Sequence, residues 1–349
     1  MHPSKLTRLA GVALASFSLA AHAAPEISRL TPPSELFRSG DPNPPIIARF
    51  LPGQRFDLAA TLRPDAGQTI TAVTFAVNGV PAPAAALAVA TAVTNSNPNA
   101  VQAVVRAQTR FTPGVYTLTA TGYQSDGQTV QATGNFEIVR ITPQDRKVKN
   151  LIFCIGDGMG IAHRTAARIM LNGVSQGKAN APLAMDTMPA TGIVITHSLN
   201  SIVTDSSPGA ACYSTGNKAN NNQHGVFPDD TTDNFDNPRV ENIGEYLRRT
   251  QGKALGIVTT SDVFDATPAA FATHTQSRGA GTGICDQYLD ESSATGLRVL
   301  MGGGRKWFLP NTTPGSARGN STDYVLPADL AAGWGVPAGA LDPARDLIA

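Results

Sequence analysis

The pattern of apolar residues changes near residue 145, and this change constrains the fold more than any other feature of the chain. Before it, several segments alternate apolar and polar residues with the period of two that is typical of half-buried β-strands. These segments are residues 55–62, 71–79, 101–109, 114–124 and 129–139. Asn78-Gly79 and Asp126-Gly127 are strong hairpin signals between such strands. This part of the chain is therefore predicted to be all-β.

Residues 24–145 are predicted to form a small sandwich of the immunoglobulin-like kind. The segment TPGVYTLTATGYQSDGQTV, residues 112–130, resembles the last hairpin of bacterial modules of this type. The region contains neither metal-ligand spacing nor the context of a nucleophile. We interpret it as a spacer that takes no part in the chemistry.

After the polar linker at residues 141–150, predicted strands and helices alternate. Strands are predicted within residues 150–160 and at 191–198, 254–261 and 296–304, and helices at 161–171, 206–214 and 241–249. This order favours an α/β fold with a mostly parallel sheet and helices on both faces, a three-layer αβα sandwich covering residues 146–349. In such sheets, ligands bind beyond the carboxyl ends of the strands.

The N-terminus has the pattern of a secretory signal peptide, predicted at residues 1–23. Lys5 and Arg8 precede an apolar run at residues 9–21, and the small-x-small sequence at 21–23 resembles a cleavage site. The alternative is a membrane anchor, but the run is short for a bilayer span. No later segment is apolar for long enough to be a transmembrane helix. We expect a periplasmic or secreted protein whose mature chain starts near Ala24.

The composition gives information about binding partners and about the state of the cysteines. Charged residues make up 15% of the 349 residues and the formal net charge is +1, so there is no electrostatic reason to expect binding to nucleic acid. The three cysteines leave at least one thiol free. Cys154 and Cys212 lie among apolar or small residues and are predicted to be buried.

Polar residues that can carry chemistry follow three of the predicted strands. The first strand leads to GDGMG, in which Asp157 can hold a divalent cation. The second leads to TDSSPGAA, where a serine begins a helix among small residues that leave room for a phosphate. The third leads to Asp265 and Thr267, whose oxygens suit Mg²⁺, and then to Arg278, which can clamp phosphate oxygens.

Each of these features also has a simpler interpretation. GDGMG fits an ordinary turn, and the serine fits a helix cap. His274 is interpreted as a structural histidine rather than a metal ligand. The serine segment differs from the GxSxG elbow of α/β-hydrolases, and no histidine follows it in a triad arrangement. The functional interpretation is favoured over the simpler one only if these motifs occur together in one known protein family.

Taken together, residues 149–310 resemble the alkaline phosphatase family. The resemblance is carried, in the family's order, by GDGMG, TDSSPGAACYSTGNK, DATPAAFATHTQSR and MGGGRKWF. It implies hydrolysis of small phosphate monoesters, release of inorganic phosphate, and Zn²⁺ and Mg²⁺ as cofactors. It is compatible with a homodimer. The physiological substrate cannot be inferred, because the family holds mainly the phosphate.

The resemblance also implies a role for individual residues. Asp157 would bridge a Zn²⁺ and the Mg²⁺. Ser206 would be the nucleophile that becomes phosphorylated, and it would contact the same Zn²⁺. Asp265, directly or through water, and Thr267 would serve the Mg²⁺ site. Arg278 would bind phosphate.

Asp205 would orient the arginine, as its counterpart does in the family. Ser207-Pro208 departs from the usual run of alanine, glycine and serine after the nucleophile. Proline is tolerated in the first turn of a helix, so this departure leaves the assignment of the nucleophile intact.

The remaining metal ligands of the family are missing from the sequence. The family uses a further carboxylate for Mg²⁺, an aspartate with two histidines for one Zn²⁺, and an Asp-His pair for the other. This chain has no histidine after His274. Later carboxylates are present, but none stands in an Asp-His or Asp-x-x-x-His context: Asp286, Asp290, Glu291, Asp323, Asp329, Asp342 and Asp346.

Three explanations are open. We favour the first, in which the sequence is the N-terminal part of a longer phosphatase. The second is a short protein without activity that keeps the domains for binding or structure. The third is another metal-dependent phosphoesterase or sulfatase that completes its site differently. We expect the chain as given to hydrolyse p-nitrophenyl phosphate very poorly, since a catalytic zinc normally has three protein ligands.

Overall fold

The structure is a computed structural model that describes residues 25–33, 46–83, 85–89, 99–142, 148–318 and 324–339. The predicted signal peptide and the predicted boundary near residue 145 lie outside these ranges. Within the described parts of the chain, no helix combines the length and apolar character that a bilayer crossing requires.

Strands dominate the first part of the chain and helices the second. The strands are β1 (Glu26–Thr31), β2 (Arg49–Phe50), β3 (Phe56–Arg63), β4 (Ile70–Val77), β5 (Val80–Pro81), β6 (Ala86–Val89), β7 (Val101–Gln108), β8 (Gly114–Gln124), β9 (Thr129–Ile138), β10 (Val174–Ser175), β11 (Lys178–Ala179), β12 (Leu255–Asp262) and β13 (Leu297–Gly303). The α-helices are α1 (Ile161–Asn172), α2 (Ser206–Thr215), α3 (Ile243–Gln251), α4 (Ala266–Ala269), α5 (Gly281–Asp290), α6 (Ser292–Thr295) and α7 (Ala328–Trp334). Two 3₁₀ helices lie at Ala184–Thr187 and Arg305–Phe308.

The first part of the chain forms two facing sheets. One is antiparallel with the order β1-β3-β7-β6, and the other has the order β2-β9-β8-β4-β5. Apolar side chains of both sheets meet in one buried cluster, to which Leu62 contributes from one side and Leu118 and Phe136 from the other. This agrees with the prediction of an all-β region, and its assignment to the immunoglobulin-like class stays a prediction.

The two predicted hairpins are confirmed. Strands β4 and β5 join through Asn78 and Gly79, which have φ of 50° and 75°. These positive values are what a two-residue hairpin turn requires, and asparagine and glycine adopt them at low cost. Strands β8 and β9 pair in continuous register from Gly114–Ile138 to Tyr123–Thr129 around the turn that contains Gly127. The local sequence therefore determines both turns.

The predicted helices α1, α2 and α3 and the predicted strands β12 and β13 are present in the second part. Strands β12 and β13 pair in parallel, as expected of an α/β fold. Helix α5 covers this pair, because Ile284 and Tyr288 pack against Ile257 and Leu297 in a separate buried cluster. The prediction of parallel strands and helices thus holds for this pair.

Two predicted strands are not formed. Residues 150–160 and 191–198 have no strand partner among the described residues, and apolar side chains in both are exposed, such as Ile152 (86%) and Ile193 (98%). An extended segment becomes a strand only when a neighbour pairs with its backbone, and neither segment has one here. Cys154 is exposed for the same reason, so its predicted burial was wrong. The described sheet that carries the site is limited to β12 and β13.

The sandwich and the second part of the chain share a core. Phe227 and Val240 belong to the buried cluster of the sandwich. The Phe227 ring lies edge-on to Phe50, with centroids 6.3 Å apart, and Val240 forms an isolated bridge with Phe56. Removal of the sandwich would therefore expose two apolar side chains of the second part. The interpretation that the sandwich takes no part in the chemistry stays a prediction.

Buried polar contacts also cross between the two parts. Asp57 of β3 is fully buried, and its carboxylate accepts bonds from the Arg106 guanidinium (2.9 Å), the backbone N–H of Arg239 (3.0 Å) and the Trp334 indole (2.9 Å). Each polar group buried in this way needs a partner to offset the loss of water. The contacts therefore fix how the second part lies against the sandwich.

The loop at residues 229–237 contains two carboxyl groups, Asp229 and Asp236, that contact the same hydroxyl. The Thr231 hydroxyl lies 2.9 Å from Asp229 Oδ1 and 2.7 Å from Asp236 Oδ1. The hydroxyl has one proton to donate, so it cannot fully stabilise two ionised carboxylates at once. Burial and the neighbouring Asp229 raise the pKa of Asp236 to about 8. Asp236 is therefore the member of the pair that holds the proton near neutral pH.

We expect Asp236→Asn to stabilise the protein at pH 9 and to leave its stability nearly unchanged at pH 4. The pKa of Asp236 is above its ordinary value of 3.8, so the folded state binds a proton that the unfolded chain has released. Stability then falls as the pH rises between about 4 and 8. At pH 9 the melting temperature of the variant should rise by about 2–4 °C for each kcal/mol by which its free energy of unfolding exceeds that of the wild type. Thermal unfolding followed by circular dichroism measures this, with Glu26→Gln, an exposed carboxylate at the start of β1, as control. An equal shift at both pH values would contradict the prediction.

Candidate active site

The predicted nucleophile is the first residue of helix α2. Asp205 precedes it in an extended conformation and accepts a bond from the backbone N–H of Ser207 (2.6 Å), so it caps the helix. Pro208 lies in the first turn, where it removes no hydrogen bond of the helix. Ser206 itself is half-buried at the surface of the molecule. The local sequence thus places its hydroxyl at a helix N-terminus, which favours an anion.

The predicted magnesium ligands follow strand β12. Asp265 caps the short helix α4 by accepting a bond from the backbone N–H of Ala266 (2.7 Å). Its other oxygen accepts a bond from the Ser261 hydroxyl (3.2 Å). Thr267 is the second residue of the same helix. The carboxyl end of β12 therefore carries both residues, as the sequence predicted.

Arg278 connects the two groups of residues. Its Nη1 donates to the Ser206 hydroxyl oxygen (3.0 Å) and to Asp205 Oδ1 (3.2 Å). Its Nη2 donates to Asp265 Oδ1 (2.6 Å). The guanidinium is thus held between two carboxylates with one nitrogen on the serine oxygen. The predicted orienting role of Asp205 is consistent with this contact.

Asp157 reaches the same place from the exposed segment after Ile155. Its Oδ2 accepts a bond from the Thr267 hydroxyl (2.8 Å). The structure therefore brings all six predicted residues to one place. Thr267 contacts Asp157, and Arg278 contacts the other three residues. Five of them are half-buried, and Asp157 is exposed.

The site carries more negative than positive charge. Asp157, Asp205 and Asp265 face a single guanidinium, that of Arg278, which leaves a net charge of −2 when all four are ionised. Burial raises the pKa of Asp265, but the bonds from the Ala266 N–H and the Arg278 guanidinium lower it by more. The pKa of Asp265 is therefore below its ordinary value of 3.8. Asp265 is therefore ionised at neutral pH. A phosphate dianion would be repelled here unless a cation were bound as well.

A second group of metal-binding residue types lies in the interior, where its members already bond to other protein groups. Glu245, His274 and Glu291 are buried with their donor atoms within 4.8 Å of one another. His274 Nδ1 donates to the Gly225 carbonyl (2.7 Å), and its Nε2 lies 3.1 Å from Glu245. Both nitrogens are thus engaged, and the Arg239 guanidinium is paired with Glu291 (2.9 Å). The interpretation of His274 as structural is consistent with these contacts.

Three of the later carboxylates form ion pairs with arginines that are not among the six site residues. Asp286 pairs with Arg318 (2.8 Å), Glu291 with Arg239, and Asp329 with Arg106 (3.0 Å). Asp323, Asp342 and Asp346 lie outside the described residues. Among the described residues, the site therefore has the carboxylates of Asp157, Asp205 and Asp265 and no histidine ligand.

One residue near the site was missed by the sequence reasoning. His224 is fully buried and contacts the hydroxyl of Ser207, the neighbour of the predicted nucleophile, at 2.8 Å. It stands alone in the run NNNQHG, and no spacing to another histidine or carboxylate marks it. Its contacts come from residues distant in the sequence, so no local pattern could have identified it.

Comparison with known proteins gives consistent matches. The family model described as alkaline phosphatase matches residues 148–333. The chain is 35% identical over 182 residues to the tissue-nonspecific alkaline phosphatase of Gallus gallus, an alignment covering 47% of this chain and 35% of that protein. It is 33% identical over 170 residues to alkaline phosphatase 4 of Bacillus subtilis strain 168, covering 47% and 35%. A crystal structure of a cold-active alkaline phosphatase from a psychrophilic Shewanella species matches at 29% identity, with a TM-score of 0.37, over 44% of this chain and 36% of that one.

The matched region is only part of each relative. The chain spans 35% to 39% of the length of these and one other curated relative, the alkaline phosphatase of Gadus morhua. The matched residues include all six of the site.

Proposed function

This chain belongs to the alkaline phosphatase family, and from that premise we propose that its site carries out phosphate-monoester hydrolysis through a phosphoserine on Ser206. The observation that carries the proposal is the position of Arg278, which contacts Ser206, Asp205 and Asp265 at once. A phosphate bound by this guanidinium would lie next to the serine oxygen. Arginine suits this task because its planar fork matches two phosphate oxygens.

The reaction would proceed in two displacements. The Ser206 oxygen attacks phosphorus as it loses its proton, and the bond from phosphorus to the ester oxygen breaks, which releases the alcohol after it gains a proton. Nη1 of Arg278 already donates to the Ser206 oxygen (3.0 Å), so it stabilises negative charge there during the attack. Water then attacks the phosphoserine, which releases inorganic phosphate and restores the serine.

The described residues fit Mg²⁺. Asp157, Asp265 and Thr267 supply carboxylate and hydroxyl oxygens, the ligands that Mg²⁺ prefers, with water completing its shell. The net charge of the site gives an independent reason, because a divalent cation would neutralise the excess carboxylates. When bound, Mg²⁺ would supply positive charge beside the incoming phosphate.

The described residues do not fit a zinc pair. Asp157 and Ser206 offer two contacts for one Zn²⁺, whereas a catalytic zinc normally has three protein ligands, and no histidine lies at the site. We therefore assign no step of the reaction to zinc. The expectation of zinc remains tied to the family and not to the residues of this site.

The substrate class is small phosphate monoesters. Every contact assigned here serves the phosphate or the nucleophile, and none selects a leaving group. The signal-peptide pattern at residues 1–23 supports a proposed periplasmic or extracellular location, where such esters would be encountered. A homodimer is proposed by analogy with the family.

The phosphate-binding role can be tested directly on the chain. Inorganic phosphate is titrated in the presence of Mg²⁺ by isothermal calorimetry. Arg278→Ala is expected to weaken binding by about 10- to 100-fold, the effect of losing a charge-assisted hydrogen bond. Removal of Mg²⁺ with a chelator should weaken wild-type binding as well, because the net charge of the site is negative. Arg248→Ala, on helix α3, serves as control. Equal affinity in wild type and Arg278→Ala would overturn the proposal.

A further inference from the structure

A buried chain of side-chain hydrogen bonds joins the helix of Ser206 to the segment that carries Arg278. The Ser207 hydroxyl lies 2.8 Å from His224 Nδ1, and His224 Nε2 lies 2.9 Å from Thr273 Oγ1. Thr273 Oγ1 in turn donates to the Ala269 carbonyl (2.8 Å). Ser207, His224 and Thr273 are all fully buried. The chain thus spans from helix α2 to helix α4 without access to solvent.

The direction of each hydrogen bond follows from the number of protons available. The Thr273 hydroxyl has one proton, and the carbonyl of Ala269 can only accept it. Thr273 Oγ1 must therefore accept from His224 Nε2, which carries a proton. Burial, with the charges of His274 and Arg278, lowers the pKa of His224 to about 3, so the ring is neutral and holds a single proton. Nδ1 is then free to accept, and Ser207 donates to it.

The backbone around His224 contacts the same two elements. The N–H of Asn222 donates to Asp205 Oδ2 (2.5 Å), and the N–H of Arg278 donates to the Asn222 carbonyl (2.8 Å). The N–H and carbonyl of His224 exchange bonds with Thr275. Residues 222–224 therefore act as a strap between the cap of helix α2 and the segment 273–278.

We propose that His224 is a positioning residue that sets the Ser206 hydroxyl against the Arg278 guanidinium. The proposal rests on the proposed function for its catalytic meaning, but the geometry it describes exists without a substrate. His224 does not touch the site itself. It acts through Ser207, which directly follows the nucleophile, and through Thr273, five residues before Arg278. Loss of its hydrogen bonds would leave the two elements free to shift relative to each other.

Two substitutions separate the hydrogen bonds from the packing. His224→Asn keeps an acceptor near the position of Nδ1, so Ser207 retains its partner. His224→Phe keeps a ring of similar shape but leaves the Ser207 hydroxyl buried without an acceptor. Leu118→Ala, in the core of the sandwich, serves as a control that lowers stability without touching the strap.

The first measurement is the tautomer of His224, from nitrogen NMR of protein labelled at histidine. We expect a proton on Nε2 and none on Nδ1. The second is the solvent-exchange rate of the Arg278 guanidinium protons, assigned with Arg278→Lys. Exchange should be at least about tenfold faster in His224→Phe, because the lost bond loosens the contacts to Asp205 and Asp265. It should be intermediate in His224→Asn, which keeps the bond to Ser207 but loses the bond to Thr273, and it should stay near the wild-type rate in Leu118→Ala.

A proton on Nδ1, or Arg278 exchange in His224→Phe no faster than in Leu118→Ala, would overturn the proposal. Arg278 exchange as fast in His224→Asn as in His224→Phe would also overturn it, since the bond between Ser207 and His224 would then contribute nothing. Neither measurement requires phosphate. The calorimetric test of phosphate binding bears on the proposed function alone. The tautomer of His224 and the exchange rates of Arg278 test the role of His224 whether or not phosphate binds.

Discussion

Replacing Arg239 by methionine is expected to lower the free energy of unfolding by about 3–5 kcal/mol, the cost of removing one partner from a buried ion pair. Arg239 is fully buried, and its guanidinium contacts Glu291 (2.9 Å) and the Tyr324 hydroxyl (2.8 Å). Burial lowers the pKa of Arg239, but the charges of Glu291 and Tyr324 raise it by more. The pKa of Arg239 is therefore above its ordinary value, and the guanidinium stays charged. Its removal would leave the Glu291 carboxylate in the interior without a cation.

Urea unfolding followed by fluorescence measures this loss. Arg248→Met, a half-buried arginine on helix α3, is the control and should change stability by less than about 1 kcal/mol. The double variant Arg239→Met with Glu291→Gln should recover part of the loss, since no charge is then left unpaired. A loss below about 1 kcal/mol in the single variant would show that Glu291 finds another partner or a proton.

Replacing Ser206 by alanine is expected to reduce Mg²⁺-dependent hydrolysis of p-nitrophenyl phosphate by at least about 100-fold, because the nucleophile is lost and no neighbour can replace it. Ser207 cannot substitute, since it is fully buried and its hydroxyl is bonded to His224. The wild-type rate is itself expected to be low, because the described residues do not complete a zinc site.

Steady-state release of p-nitrophenol measures the effect. Ser214→Ala, near the other end of helix α2, is the matched control, because among the described residues its hydroxyl donates to the Ala211 carbonyl of the same helix. It should keep the wild-type rate. A Ser206→Ala variant as active as wild type would remove Ser206 from the mechanism.

Local sequence predicted the elements that carry the site. The cap at Asp205, the small residues after Ser206 and the apolar run before Asp262 each act within a few residues of the chain. For this reason, helix α2 and strand β12 could be placed before their neighbours were known. The grouping of Asp157, Ser206, Asp265, Thr267 and Arg278 came from the family resemblance, since spacing alone cannot bring residues 121 positions apart together.

Long-range contacts account for what the sequence did not show. The runs around Ile152 and Ile193 have the composition of buried strands, but a strand also needs a partner, and pairing is not encoded within the run. The core shared by Phe227 with the sandwich was missed for a related reason. A single apolar residue in a loop carries no period that would indicate where it packs.

The central claim is that Ser206 receives a phosphoryl group with the help of Arg278. The most direct measurement is to incubate the chain with Mg²⁺ and a phosphate monoester, quench it in acid, and locate covalently bound phosphate by peptide mass spectrometry. The account predicts phosphate on Ser206 in the wild type, much less in Arg278→Ala, and none in Ser206→Ala. Phosphate found on another residue, or equal labelling of Ser206 without Arg278, would contradict it.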